Sequence, residues 1–506
     1  MTMTPGRAPL VVASNRGPVE LRVDEDGRVV ENRGGGGLIG VLGPALASRN
    51  GTWVAAALTE EDRRAARTRE SGTVVELPEG AVRLRSLDLD RQDYDGYYRD
   101  ISNGLLWFLH HQMLDPAREP VIDAGLRESW RAFRRINARF ASACASEVAP
   151  SGRVLLQDYH LSLAPRQLRT ARPDVGIAHF TMIPWADPAT FRALPPDLAT
   201  ELLDGMLGAD LLAFLVPRWA EAFVATCEAA GYPVDRGRAT VTDRDGRRVG
   251  ICCLPVGVDP DRLRQASAGA PAEAHRRELR RLVGDRRLVV RVDRMEPSKN
   301  LLRGLDGFAE LIGRDPSRRE RVVHYVLAYS SRQGVPAYQA YDREVRRRVQ
   351  LINERFGTPD WQPVVLETRN DFERGLAALT LADVLVVNAV RDGMNLVAKE
   401  GPVVSRRDLA LVLSTEVGAA DELGDAAIMV HPFDVSALAD GIAAGLDMPR
   451  AERSERLTRL RKAAGALPPR QWLAQAVHEL DQRLARTEDP RTDQESESTG
   501  NRPHLA

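Results

Sequence analysis

The feature that most constrains this chain is a repeating pattern. A short apolar run without polar alternation ends in a loop rich in Gly, Asp or Arg, and a helical stretch follows. In the first half the runs are LVVAS from Leu10, VLLQ from Val154, VGIAHF from Val175 and LLAFL from Leu211. Helical stretches such as LAPRQLRTA and RWAEAFVATCEAA lie between them. The second half repeats the theme with RLVVRV from Arg287, VVHYVLA from Val322, PVVLE from Pro363, VLVVNAV from Val384, LALVLS from Leu409 and AIMVHP from Ala427. A strand with one wet face alternates polar and apolar residues, whereas a strand covered by helices on both faces need not. The pattern therefore predicts an α/β protein built on doubly wound, mostly parallel sheets. Ligands of such sheets lie beyond the carboxyl ends of the strands, so the loops after the runs are where chemistry is expected.

A chain of 506 residues is long enough for two such sheets, facing each other across a cleft. The stretch LPVGVDPDRLRQASAGAPAEAHRRELRRLVGDRR, with its Ala, Gly and Pro, reads as the connection between them. The expected division is an N-terminal Rossmann-like domain over 1–260, a C-terminal Rossmann-like domain over 261–470, a last helix over 471–487 and a disordered tail over 488–506, where apolar residues thin out.

Lys and Arg total 70 against 71 Asp and Glu, so no global field attracts nucleic acid, although a local basic pocket for a small anion is not excluded. The four cysteines, two of them adjacent at Cys252 and Cys253, make neither a disulfide framework nor a spaced zinc signature. No run approaches the roughly 20 apolar residues of a membrane span. The apolar run at Leu10 is broken by Ser14, Asn15 and Gly17 and reads as a buried strand, not a signal peptide. A cytoplasmic protein is the expectation. A homo-oligomer is compatible with this composition, which does not set the oligomeric state.

Several strand-end loops carry groups suited to phosphates or hydroxyls. Ser14-Asn15-Arg16-Gly17 follows the first run, and Gly34 to Gly37 precede another helical stretch. The segment between them, PVELRVDEDGRVVENR, has the Asp-Gly of a tight hairpin, which would bring Arg33 and the glycines back toward Arg16. Glycines at a helix start let backbone N–H groups approach an anion, and Arg can add a bidentate contact; a flexible loop with a surface Arg would look the same. In QDYH, Asp158 accepts hydrogen bonds from a sugar hydroxyl, holds the adjacent His160 in one tautomer, or caps a helix. In RVDRMEPSKN, Arg294 and Lys299 flank a turn and suit a diphosphate, or else are merely exposed. In VRDGMNLVAKE, Asp392 and Gly393 form a turn before a helix start. There Glu400 can accept the hydroxyls of a ribose or sit on a wet helix face, and Met394 can contact a ligand or fill the core.

Taken in order, SNRGP, GGGGL, YYRDISNGLLW, DYHL, the Pro184-Trp185 pair, SKN, SRQG, INERFG, RDGMNLVAKE, STEVGAADEL and HPFD make the chain resemble the trehalose-6-phosphate synthase family from about Leu10 to about Ala485. The resemblance implies a GT-B fold, with the acceptor bound by the N-terminal domain and the nucleotide sugar by the C-terminal one. It implies transfer of glucose from a nucleotide diphosphate sugar to glucose 6-phosphate, with retention and an α,α-1,1 linkage. Arg16 and Arg332 then match acceptor-phosphate ligands, and Tyr98 and Trp107 match acceptor-site residues. Gly36 and Gly37 match the glycine loop near the donor phosphate. Asp158 matches the sugar-site Asp, and Arg294 and Lys299 match the pair on the diphosphate. Asp392, Met394 and Asn395 match the turn against donor sugar and phosphate, Leu396 and Val397 the helix start, and Glu400 the ribose ligand. Asp158, Arg294, Lys299 and Asp392 are the implied catalytic set. No cofactor is implied, and no metal, since two cations supply the charge. The EPSKN and GPVVSRRD segments are similar to the actinobacterial branch, which tilts the donor toward GDP-glucose while leaving GDP- or UDP-glucose open.

One position departs from the family. Where the family has a His that touches the donor sugar, this chain has Met182, within TMIPW. A thioether is a weak acceptor and donates nothing. His179, three residues earlier in an extended strand, would point to the opposite face about 10 Å away. The departure keeps two alternatives open. One is a pseudoglycosyltransferase that couples a nucleotide-activated cyclitol to an aminocyclitol phosphate; the other is a catalytically silent sugar-phosphate-binding protein.

Overall fold

The structure, a computed structural model, describes residues 7–23, 29–33, 42, 46–47, 49–68, 72–77, 80–332 and 334–488. The glycine run with Gly36 and Gly37, the Asp26-Gly27 turn and residues 489–506 lie outside the described residues. The chain forms two compact units. One comprises described residues up to Pro255 together with the helix that begins at Pro469, and the other is Val256–Pro468.

The described residues of the first unit hold twelve strands: β1 (Ala8–Ser14), β2 (Val19–Val23), β3 (Val29–Arg33), β4 (Thr52–Ala56), β5 (Thr73–Leu77), β6 (Gly80–Leu87), β7 (Val148–Gln157), β8 (Gly176–Thr181), β9 (Leu211–Phe214), β10 (Val234–Asp235), β11 (Thr240–Thr242) and β12 (Arg248–Cys253). β2 and β3 form the expected antiparallel hairpin, with Val19 opposite Arg33. The rest make one sheet in the order β10-β11-β12-β9-β8-β7-β1-β4-β6-β5. From β12 to β6 the neighbours are parallel, and the edges are antiparallel. Every residue of β4 and β8 is buried, as the unalternated runs require. The long helix Ala124–Glu147 shows how sequence builds the cover. Asp123 caps it through Leu126 N, and Trp130, Phe133, Asn137, Phe140 and Cys144 recur on its buried face. The chain runs outward from β1 in one direction and returns to its other side with β7, so the order reverses between β1 and β7.

The helix Pro469–Glu488 belongs to this unit. Trp472 Nε1 donates to Leu254 O at 2.9 Å, and Arg153 pairs with Asp481 at 2.6 Å.

The second unit is a six-stranded parallel sheet of β13 (Arg287–Met295), β14 (Val322–Ser330), β15 (Val364–Glu367), β16 (Val384–Val387), β17 (Ala410–Ser414) and β18 (Ile428–Val430). Its order, β15-β14-β13-β16-β17-β18, is the 3-2-1-4-5-6 arrangement of a dinucleotide-binding domain, with the switch point between β13 and β16. No helix of the described residues is long and apolar enough to cross a membrane.

Candidate active site

Each switch point collects the residues that the sequence singles out, one set per unit. In the second unit, β13 ends at Met295, and the turn Pro297–Lys299 follows. β16 ends at Val387, and the loop after it carries Asp392. A backbone bond from Val390 N to Ser298 O, 2.8 Å, joins the two loops. Lys299 Nζ lies 2.5 Å from Asp392 Oδ2, and Asn395 Nδ2 donates to the same oxygen at 3.1 Å. Asn395 takes a left-handed φ of 70°, a conformation Asn tolerates better than most residues, and its Oδ1 accepts from Ala398 N at the start of the helix Val397–Val404. Burial works to lower the Lys299 pKa, but Asp392 and Asp293 more than offset it, so the ammonium is held charged.

Met295 pairs with Ser330, so the loops after β13 and β14 leave the sheet side by side. There Glu296, fully buried, accepts from Arg294 Nη1 at 2.9 Å and from Ser331 Oγ at 3.2 Å, and stands 4.0 Å from Arg332 Nη1. Arg332 also donates to Tyr338 Oη at 2.5 Å. Glu296 thus holds two arginines by one carboxylate. Sequence reading passed over it, although an acid embedded among strand-end cations was the available signal. Leu396 and Val397 are half-buried at the helix start, whereas Met394 is buried, as a core residue would be. Glu400 is not on a wet face: it is half-buried, and desolvation pushes its pKa up to about 7.

In the first unit Ala13 pairs with Leu156, so Asn15 and Asp158 leave β1 and β7 as neighbours. Asp158 makes no capping bond to the turn it opens, which removes the capping explanation. Its φ of 70° is strained for a non-glycine residue, and its Oδ1 accepts from Met182 N at 3.2 Å. The backbone, not the thioether, is therefore what Met182 offers Asp158. His179 lies under this turn, buried, with Nε2 3.1 Å from the Asp158 carbonyl; burial lowers its pKa to about 4.

A wide helix, Gly96–Leu106, brings Tyr98 to this turn; its Trp107 N–H bonds the Ser102 carbonyl, five residues back. Tyr94, Tyr98 and His160 stack as a column, with centroid spacings of 5.5 Å and 5.8 Å and interplanar angles of 12° and 16°. His160 Nδ1 is 3.9 Å from Asp158 Oδ2. Asn103 joins the wide helix to the turn, donating to Tyr98 O and accepting from Tyr159 Oη, both at 2.8 Å. Asn15 Nδ2 donates to Tyr94 Oη at 3.2 Å. Arg16 is exposed (side chain 66%) and stands 3.7 Å from Glu20. Trp107 is only 1% exposed and stacks on His111 at 4.1 Å, so it backs the wide helix from inside. Neither the column nor Asn103 was read from the sequence, because stacking partners from separate segments leave no periodic signal.

The cations, the strained Asp and the reversed strand orders suit a protein that binds anionic sugar derivatives, and comparison with known proteins agrees. The chain is 34% identical over 481 residues to the trehalose-6-phosphate synthase of Mycobacterium tuberculosis, covering 92% of this chain and 93% of that one. It is similar to a UDP-forming α,α-trehalose-phosphate synthase from Burkholderia xenovorans solved in complex with glucose-6-phosphate (28% identity, TM-score 0.80, covering 94% and 100%). It is also similar to an E. coli structure bound with UDP-2-fluoro glucose (26% identity, TM-score 0.81, covering 94% and 99%). The sequence profile of one family spans residues 8–482, nearly the whole of both units, and on that match the chain belongs to glycosyltransferase family 20.

Proposed function

We propose that this glycosyltransferase is of the trehalose-6-phosphate synthase type, moving glucose or a close relative from a nucleoside diphosphate sugar to glucose 6-phosphate with an α,α-1,1 linkage and retention. The observation that carries the reading is the gathering of Arg294, Lys299 and Asp392 at the switch point of a 3-2-1-4-5-6 sheet, in a chain similar along nearly its whole length to trehalose-6-phosphate synthases.

In this reading the donor diphosphate meets Arg294 and Lys299 as the glycosidic bond opens, and their charge stabilises the leaving group as negative charge develops on it. Asp392 holds the Lys299 ammonium in place through the 2.5 Å contact. The departing phosphate oxygen takes the acceptor's proton on the face it leaves, so retention needs no pair of catalytic carboxylates of the kind glycoside hydrolases use. Glu400 accepts the ribose hydroxyls. Asp158 stands on the sugar, Arg16 and Arg332 bind the acceptor phosphate, and Tyr98 lines the acceptor site. The nucleotide is GDP or UDP: the sequence style favours GDP, and the Burkholderia relative is UDP-forming.

A second reading, the cyclitol-coupling pseudoglycosyltransferase, is favoured by one observation: the residue whose backbone N–H meets Asp158 is Met182, and its thioether cannot donate to a sugar hydroxyl. Incubation with UDP- or GDP-glucose and glucose 6-phosphate, with product mass and anomeric configuration determined, tests the first reading. Turnover only with a cyclitol nucleotide would replace it with the second.

A further inference from the structure

Behind the Lys299–Asp392 pair lies a buried polar cluster with no part in the chemistry above. Arg291 sits in the middle of β13, directly after the core residues Leu288, Val289 and Val290, and is 1% exposed. A guanidinium is expensive to bury and is kept only where its donors are matched. Here the fork is used in three directions. Nε donates to Asp293 Oδ2 at 2.8 Å, Nη1 to Asn388 Oδ1, and Nη2 to the backbone carbonyl of Lys299. Asn388 begins the loop after β16, and Lys299 ends the turn after β13. Asn300, in a left-handed conformation (φ 60°), adds a strap: its Nδ2 donates to Asn388 O at 2.9 Å and to Pro432 O at 2.7 Å.

The neighbouring helix leaves room for the guanidinium at a glycine. Gly304, in the helix Leu301–Arg314, has no Cβ; one placed there would lie 2.3 Å from Arg291 Nη1 and 3.3 Å from Asn388 Oδ1. On the neighbouring strand, His324 is fully buried and neutral, its pKa pushed down to about 3 by desolvation and by Arg291. The cluster is thus a charged fork that joins, from inside the sheet, the two loops whose outer faces carry Lys299 and Asp392.

We propose that Arg291 is a positioning residue for the transfer reaction. By holding the Lys299 carbonyl and Asn388 in one fork, it sets the separation of the loops after β13 and β16, and so the place of the Lys299 ammonium and Asp392. It touches no substrate and acts through those residues. The inference rests on assigning Lys299 and Asp392 to the donor diphosphate.

The test uses the full chain. Arg291→Met combined with Asp293→Leu removes the fork without stranding a buried carboxylate, an exchange that cores often accept. The double variant should fold, with kcat and the affinity for the matching nucleotide, titrated as UDP and GDP, both reduced roughly 10- to 100-fold, the scale of an ångström of misplacement. KM for glucose 6-phosphate should stay within about twofold, since uniform binding of the acceptor is untouched. Arg291→Lys keeps the charge but cannot span Asn388 and the Lys299 carbonyl, so it should stay impaired; full activity in that variant would overturn the proposal. A purely structural Arg291 would lower the melting temperature and leave the kinetics of the folded enzyme unchanged, which also overturns it. If the double variant does not fold, Gly304→Ala decides, because it adds only a methyl group to a helix and pushes the fork aside. Wild-type kcat and nucleotide affinity in Gly304→Ala would refute the fork's role. Full activity in Lys299→Ala would instead sink the donor-site assignment, and the proposal with it, whereas an inert Lys299→Ala beside a fully active Arg291 variant would sink the proposal alone.

Discussion

Lys299 Nζ stands 2.5 Å from Asp392 Oδ2 although the two are 93 residues apart in sequence. Both side chains are largely buried, so the pair is a charged junction between the loops after β13 and β16 and is little screened by solvent. Such a pair brings little net stability, but breaking it is costly because one charge is left without a partner. Its presence in the middle of a switch point is better explained by what it positions than by what it stabilises.

Asp392→Ala should therefore destabilise the second unit by about 3 to 5 kcal/mol, while the volume-matched Lys299→Met/Asp392→Leu double variant should recover most of that loss. Neither should recover turnover. Loss of Lys299 or of Arg294 alone should lower kcat by at least about 100-fold, the scale of one preorganised electrostatic partner. Denaturant melts alongside steady-state kinetics separate the two effects, and near-normal turnover in Arg294→Ala and Lys299→Ala would remove both from the leaving-group role.

Arg16 offers a cleaner test on the acceptor side. It is exposed, and an exposed ion pair such as Arg16–Glu20 contributes at most about 1 kcal/mol. Arg16→Ala should leave the melting temperature unchanged and erase much of the preference for glucose 6-phosphate over glucose. Arg332→Ala should do the same at some cost in stability, because Arg332 also holds Tyr338. The measurement is the ratio of kcat/KM for the two acceptors; a ratio unchanged in both variants would take the phosphate away from them.

With Glu400 on the ribose, as proposed, donor binding should depend on pH. Desolvation raises its pKa to about 7, above the ordinary carboxyl value, so the folded protein binds a proton there that the unfolded chain has lost. Between the unfolded value and about 7, stability then falls as pH rises. A carboxylate accepting two ribose hydroxyls must be ionised, so nucleotide affinity should rise as pH increases through about 7. Glu400→Gln should flatten that affinity profile and be more stable than wild type at alkaline pH, with no advantage at acid pH. Calorimetric titration of the nucleotide across this range, with thermal melts, checks both signs; a flat wild-type profile would detach Glu400 from the ribose.

The proposed donor-site place of Met182 is tested by the identity of the transferred group. If the rest of the pocket is glucosyl, Met182→His should raise glucose-donor efficiency by about tenfold, the worth of one modest hydrogen bond. If the natural donor lacks the matching hydroxyl, the same change should harm the natural reaction by placing a polar ring against apolar surface. Catalytic efficiencies across donors differing at that hydroxyl distinguish these outcomes. Unchanged donor preference would mean that Met182 does not touch the sugar.

The sequence alone carried the α/β class, the six strands of the second unit and β1, β7, β8 and β9 of the first, with the loops after them, because a doubly covered strand announces itself as an unbroken apolar run and its candidate functional residues follow directly in the chain. Asp158 after VLLQ and Arg294 and Lys299 at the end of RLVVRV and beyond it were legible for that reason. Which loops become neighbours was not legible, since it depends on sheet order, and sheet order is set by how helices pack on both faces and not by any local pattern. Only the placing of β16 beside β13 brings Asp392 to Lys299, and only the register of β14 on β13 brings Arg332 to Glu296. Burial was decided at the same level. Trp107 and Met394 turned inward and Glu400 was partly desolvated, because a side chain's environment depends on every element packed around it and not on its sequence neighbours. Arg291 lies at the far end of that scale. In sequence it is one basic residue in an apolar run, and only three partners, in its own strand and in the loops after β13 and β16, make it a clamp.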